Sequence, residues 1–140
     1  MRLVLDTNVV ASALLWGGTP ALLLRARREQ RITLFTSPPL LAELADILGR
    51  RKFEKKIAAS SMSVDQLVER YADLASVVRP VAVVGIALDP DDDVVIGTAL
   101  AARAELIVTG DRGLLTVGAH RDVRILGVGE ALAAIGRSAR

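Results

Sequence analysis

Apolar positions along the chain alternate between two rhythms. Short runs at residues 2–5 (RLVL), 32–36 (ITLFT), 106–109 (LIVT) and 123–126 (VRIL) have the length of buried strands. Helical spacing fills the stretches between them. VVASALL, 9–15, stops at Gly17-Gly18, and glycine suits a helix end. Residues 20–30 form a second helix with Pro20 in its first turn. Pro38-Pro39 open a third, to about Leu48, and a short basic helix follows around 51–58. Ser63 with Gln66 has the form of a capping box. Behind it Val64, Leu67, Val68, Tyr71, Leu74 and Ala75 keep the i, i+3, i+4, i+7 spacing of an amphipathic helix. VVRPVAVV, 77–84, reads as extended, but Pro80 argues against a central strand. Helices over 91–104 and 128–136 complete the pattern. Strands alternating with helices predict an α/β fold: three layers, with a central, mostly parallel sheet of four or five strands flanked by helices. No repeat or linker interrupts it, so residues 1–140 are expected to form a single domain.

In a parallel sheet of this kind the functional crevice lies beyond the carboxyl ends of the strands. The acids fall there. Asp6 directly follows LVL, in LDTN, and Asp111 follows LIVTG, in TGDRG. LDPDDDVVIGTAL, 88–100, crowds Asp89, Asp91, Asp92 and Asp93 into five positions at the start of the helix. Helix dipoles tolerate negative charge at that end, so one or two of these are expected to be caps. Four exceed what capping needs. Glu43 falls beside Leu40 and Ile47 on the helical wheel, at the border of the apolar stripe, whereas Asp46 turns further toward solvent. A carboxylate on such a border commonly has a partner or a metal. Thr7, Asn8 and Thr109 carry two readings: as caps, or as groups that orient Asp6 or a water.

Composition narrows the chemistry. The chain has no cysteine and one histidine, His120, in a loop-like AHRD expected at the surface. Thiolate metal sites, disulfides and cysteine nucleophiles are thereby excluded. Converging carboxylates with oxygen-only ligands suit a hard cation, Mg²⁺ or Mn²⁺, over zinc. Such an ion relieves their repulsion and can activate water against a phosphodiester. Net charge is +2, but its distribution is uneven. RRKFEKK, 50–56, contains Arg50, Arg51, Lys52, Lys55 and Lys56 against one acid, and Arg25, Arg27, Arg28 and Arg31 form a second basic run. These are either solvated faces or a surface for a polyanion such as RNA. The chain opens on a strand, with no leader, and no apolar stretch reaches membrane-spanning length, so a soluble cytoplasmic protein is expected. Half the residues are apolar, and Trp16 with the Leu22–Leu24 run offers apolar surface, which points to a homodimer. Trp16 beside Gly17-Gly18 reads as packing or interface rather than base stacking.

LDTN, an acid within SPPLLAEL, DPDDDVVIGTALAA and ELIVTGDRGLL, in that order and spacing, resemble the PIN-domain family. The likeness covers almost the whole chain. It is greatest to members assigned to toxin–antitoxin pairs, the VapC-type ribonucleases and their relatives. The resemblance implies a parallel sheet with flanking helices and a Mg²⁺- or Mn²⁺-dependent site that cleaves single-stranded RNA. It also implies a cognate antitoxin and a homodimer. Carried over, the site acids are Asp6, with Thr7 or Asn8 in support, Glu43, a third acid at Asp92 or Asp93, and Asp111. Many members have a further acid shortly after the last; here DRGLL puts Gly113 in that place.

Two other functions compete. A catalytically silent PIN-like module binding RNA or a partner would be marked by loss of an acid, and all four positions are filled. A phosphotransfer enzyme with Asp6 as nucleophile would place a second aspartate two residues on, where this chain has Asn8.

Overall fold

The computed structural model describes residues 1–138. Its sheet contains β1 (Arg2–Leu5), β2 (Thr33–Thr36), β3 (Ala75–Val77), β4 (Leu106–Val108), β5 (Ala119–His120) and β6 (Val123–Leu126), in the order β3-β2-β1-β4-β6-β5. All pairings are parallel except that of β5 with β6. The sheet thus has six strands where four or five were expected, and β3 and β5 lie at its edges. The chain leaves helical geometry after Leu74, so Ala75 opens β3 rather than continuing the helix. Strand pairing ends at Val77, and the rest of VVRPVAVV is an irregular strap. The two-residue β5 carries His120, which is half-buried rather than in an open loop.

Period-two alternation divides the core into two layers. Leu3, Leu5, Leu34, Leu106 and Val108 face α1 (Thr7–Leu15), α2 (Ala21–Arg28), α3 (Pro38–Leu48), α5 (Val64–Leu74) and α8 (Val128–Ser138). Val4, Phe35, Ile107 and Ile125 face α6 (Pro90–Ala102) and α7 (Arg112–Val117). Each such side chain contributes about 1.5–3 kcal/mol of burial free energy, which holds the strand ends in fixed relative positions. Helix α5 begins as its capping box requires, with Gln66 N–H donating to Ser63 Oγ and Ser63 N–H to Gln66 Oε1. The basic segment forms a 3₁₀ turn (Arg51–Phe53) and α4 (Glu54–Ser60).

Helix α6 lacks a polar face because it is covered twice. The sheet lies on one side, and the 78–89 strap crosses another, where Val81 N–H donates to the Gly97 carbonyl at 3.0 Å. The approach is so close that a Cβ at Gly97 would run into the Val81 carbonyl. The apolar surface also differs from expectation. Leu23 and Leu24 are buried in the core, leaving Leu22 and Trp16 exposed. Further exposed apolar residues lie on the strap: Val81, Val84, Ile86 and the fully exposed Leu88.

Tyr71, on the inner face of α5, is fully buried with no partner for its hydroxyl among the described residues. Burial pushes its pKa far up and keeps it neutral. An unpartnered buried hydroxyl costs about 1–3 kcal/mol. Tyr71→Phe is therefore expected to hold or raise the denaturation midpoint. A fall of more than about 1 kcal/mol in urea unfolding would mean that the hydroxyl has a partner.

Candidate acidic site

The polar residues gather where β1 and β4 end. These strands pair with Leu5 opposite Val108, so Asp6 and Thr109 leave the sheet side by side. The chain winds from β1 to β2 and β3 on one side, and β4 and β6 lie on the other, so this is the topological switch point of the sheet.

Asp6 is buried, and both its oxygens are engaged. Oδ1 accepts the Thr7 N–H at 2.8 Å, and Oδ2 accepts the Thr109 hydroxyl at 2.7 Å. The same Thr109 oxygen accepts the Asp111 N–H at 2.9 Å. One fully buried hydroxyl thus ties the two strand-end acids together. Thr7 does the corresponding work toward α3, donating its hydroxyl to Glu43 Oε1 at 2.8 Å. Helix α3 is itself anchored to α6, because Ser37 Oγ lies 2.9 Å from Thr98 Oγ1 in a buried pair. Asn8 is exposed and takes no part in this network.

Asp111 caps α7, a helix too short to show a periodic signal, with Oδ2 accepting the Leu114 N–H at 3.0 Å. Asp92, half-buried in the first turn of α6, stands close to it. Gly113 lies against both: a Cβ there would sit 3.1 Å from Asp111 Oδ2 and 3.4 Å from Asp92 Oδ2. The position where the family pattern often has another acid is therefore crowded by these two carboxylates.

Burial, with mutual repulsion added, shifts the titration of three of the acids upward. Burial, then the charge of Asp111 and its hydrogen bond, push Asp92 up to about 7. Burial raises Asp6 as well, against the lowering effect of the Thr109 and Thr7 hydrogen bonds and with a further upward push from Asp111. Glu43 is raised mainly by burial, with Asp6 and Asp91 adding to it and Thr7 and Arg50 opposing.

The other aspartates of the cluster have separate positions. Asp93 is buried and turned to the strap, where its oxygens accept the Ala87 N–H at 2.7 Å and the Gly85 N–H at 3.0 Å. It is not brought to the group around Asp6. Asp89 caps α6 by accepting the Asp91 N–H at 2.9 Å. Asp91, Glu43 and Asp46 line a cleft of about 330 Å³ between α3 and α6. A larger hollow of about 460 Å³ lies along α5, beside Arg28 and Arg70, and contains none of the site acids.

Among the described residues no three acidic or imidazole side chains already enclose a point for an ion. The donor set nevertheless fits a hard cation: all oxygens, with one pair, Asp92 and Asp111, already close. Mg²⁺ commonly takes one or two carboxylates and completes its octahedron with waters and substrate phosphates.

Arg50, Arg51, Lys52, Lys55 and Lys56 are all exposed past the end of α3. Only Arg50 acts on Glu43. Lys56 instead extends over Trp16, at the opposite end of α1 from Asp6. Among the described residues the ion pairs are Arg25–Glu29 and Arg31–Glu29, so the five cations have no acid bound to them. No described helix is long and apolar enough to cross a membrane.

Two hydroxyls stand out because sequence reading gave them less than they do. Thr109 bridges two acids, and Ser37, the residue before Pro38-Pro39, joins α3 to α6 instead of capping α3. The helix after Asp111 was also missed, although an aspartate directly before RGLLTV is an N-cap signal.

Comparison with curated protein sequences gives no significant match. Among solved structures, the chain is similar to the crystal structure of VapBC2 from Rickettsia felis bound to a DNA fragment from their promoter. The TM-score is 0.60 at 15% identity, over 91% of this chain and 98% of that one. At that identity the likeness is one of fold. The sequence itself matches the PIN domain model over residues 2–113, most of its length, and the chain belongs to the PIN domain family.

Proposed function

We propose that this chain is a divalent-metal-dependent ribonuclease acting on single-stranded RNA, and the toxin of a toxin–antitoxin pair in the cytoplasm. The observation that carries the reading is the crowding of Asp92 and Asp111 beside the buried Asp6, where burial first and the Asp111 charge next push Asp92 up to about 7. Carboxylates held together at a cost in repulsion are a mark of a functional site. Asp92 and Asp111, with Asp6 behind them, would hold Mg²⁺ or Mn²⁺. A bound ion would neutralise phosphate charge and lower the pKa of water. Thr109 and Thr7 hold Asp6 in place, and their hydrogen bonds oppose the upward push of burial on its pKa. Glu43, half-buried with a pKa raised by burial, would take a proton from the attacking water. Asp93 serves the strap, so Asp92 is the better candidate for the third acid. Arg50, Arg51, Lys52, Lys55 and Lys56 would hold the RNA backbone.

Membership of the PIN family and the likeness to the Rickettsia felis VapBC2 structure support the toxin role and an antitoxin partner. The apolar strap, more than Trp16 or Leu22, supports a homodimer. Sedimentation at micromolar concentration is expected to give twice the chain mass, and a monomer there would remove the dimer.

The direct test incubates the chain with single-stranded RNA. Cleavage is expected with Mg²⁺ or Mn²⁺ and none in excess EDTA. Cleavage that persists in EDTA defeats the metal mechanism. Binding without cleavage under either ion favours a silent RNA-binding module.

A further inference from the structure

We propose that Trp16, with Lys52 and Lys56, forms a remote subsite that stacks an unpaired base of single-stranded RNA. Its purpose rests on the nuclease reading above, but its existence does not. Trp16 follows α1 at the helix end opposite Asp6. At 1.5 Å per residue that places it roughly 15 Å from the acid cluster. The indole is 37% exposed, so the ring is only partly used in packing. Phe53 and the indole form a T-shaped pair, with centroids 5.5 Å apart and planes at 69°. Lys56 Nζ lies 5.2 Å from the Trp16 centroid, and Lys52 Nζ lies 5.0 Å from that of Phe53. The contact with buried Phe53 fixes the indole, and the exposed Lys56 side chain, whose ammonium lies over the indole ring, would swing aside for a base and meet its phosphate, with Lys52 over the neighbouring Phe53.

An aromatic ring flanked by cations that form no ion pair among the described residues suits a nucleic-acid strand. The base stacks on the ring and the cations take the adjoining phosphates. A hollow of about 170 Å³ on the same 3₁₀–α4 segment, beside Arg50 and Arg51, adds room for the backbone. Arg50, whose charge acts on Glu43, stands on the side toward the acids. The roughly 15 Å between the platform and the acids corresponds to about four stacked nucleotides at ~3.4 Å a step. The strand would therefore be cut several nucleotides from where it is held.

Trp16 is the only tryptophan of the chain, so its emission reports on the subsite alone. The experiment titrates the Asp111→Asn chain, in EDTA, with a single-stranded RNA octamer and with the same sequence as a duplex. The single strand is expected to quench the emission saturably, and the duplex to leave it unchanged. If Arg51, Lys52 and Lys56 neutralise three phosphates, affinity falls about 20-fold between about 50 and 200 mM salt. Trp16→Leu should weaken single-strand binding, followed by anisotropy of labelled RNA, by about 5-fold to 100-fold. Lys52→Ala with Lys56→Ala, both on exposed side chains, should lower the salt slope by about 1.4 if Trp16→Leu does not fold. Unchanged emission with the single strand, or equal quenching by the duplex, overturns the subsite. Metal-dependent cleavage without quenching removes the subsite and leaves the nuclease reading standing. Quenching without cleavage does the reverse.

Discussion

Asp111→Asn should lower metal-dependent RNA cleavage by a factor of at least ~10², the scale of losing one strong electrostatic stabiliser, with the fold intact. The side chain is exposed, so little packing depends on it. Its structural task is to cap α7 by accepting the Leu114 N–H, and asparagine caps a helix as well as aspartate does. The variant therefore removes a charge from the acid group and almost nothing else. A titration with Mn²⁺ should show weaker binding along with the lost rate. Full activity in Asp111→Asn would exclude this residue from the site.

The pH profile gives the same experiment a second readout. Asp92 is raised to about 7, first by burial and next by Asp111. A raised carboxylate holds its proton below that pH and competes with a cation for the same oxygens. Metal affinity in the intact chain should thus climb as pH rises through about 7. Removing the Asp111 charge removes the second cause, so the inflexion should move to lower pH in Asp111→Asn. Stability follows the opposite sign. A carboxylate whose folded pKa exceeds its unfolded value contributes stability below the unfolded value, and that contribution is lost as pH rises toward 7. The metal-free protein should accordingly be less stable at pH 8 than at pH 5, as far as Asp92 decides it, and Mg²⁺ should recover part of the loss.

Much of this arrangement was legible in the sequence because two simple rules converge. Apolar runs of strand length mark β1, β2, β4 and β6, and a parallel sheet puts function at strand ends, where Asp6 and Asp111 stand. Glu43 was legible from its border position on the α3 wheel. What stayed hidden depended on contacts between distant segments. No local pattern shows that Thr109 would link Asp6 to the Asp111 backbone, or that Ser37 would meet Thr98 across 61 positions. Helix α7 and strand β5 are too short for periodicity to register. The choice between Asp92 and Asp93 is of the same kind. Adjacent helical residues point about 100° apart, and the sequence does not say which of the two directions the strap will occupy.

That difference sets up opposite outcomes for two neighbouring aspartates. Asp93→Ala is expected to cost about 2–5 kcal/mol, because it orphans the buried Ala87 N–H and the half-buried Gly85 N–H together. The strap has few other ties: Val81 N–H to Gly97, Val78 N–H to Thr36, and the burial of Ala87. Val78 and Val83 are half-buried against the core, but Val81, Val84, Ile86 and Leu88 are exposed, so little else replaces the lost pair. The melting temperature should drop by roughly 10 °C in a domain of this size. Asp93→Asn keeps one acceptor and should lose about half as much. Metal affinity of the folded fraction should change little in either. Asp92→Asn should do the reverse, weakening metal binding while raising metal-free stability at pH 8, where the charged Asp92 is repelled by Asp111. Paired thermal melts and Mn²⁺ titrations of the four chains separate the roles. A stable Asp93→Ala with weakened metal binding would exchange the assignments of the two residues.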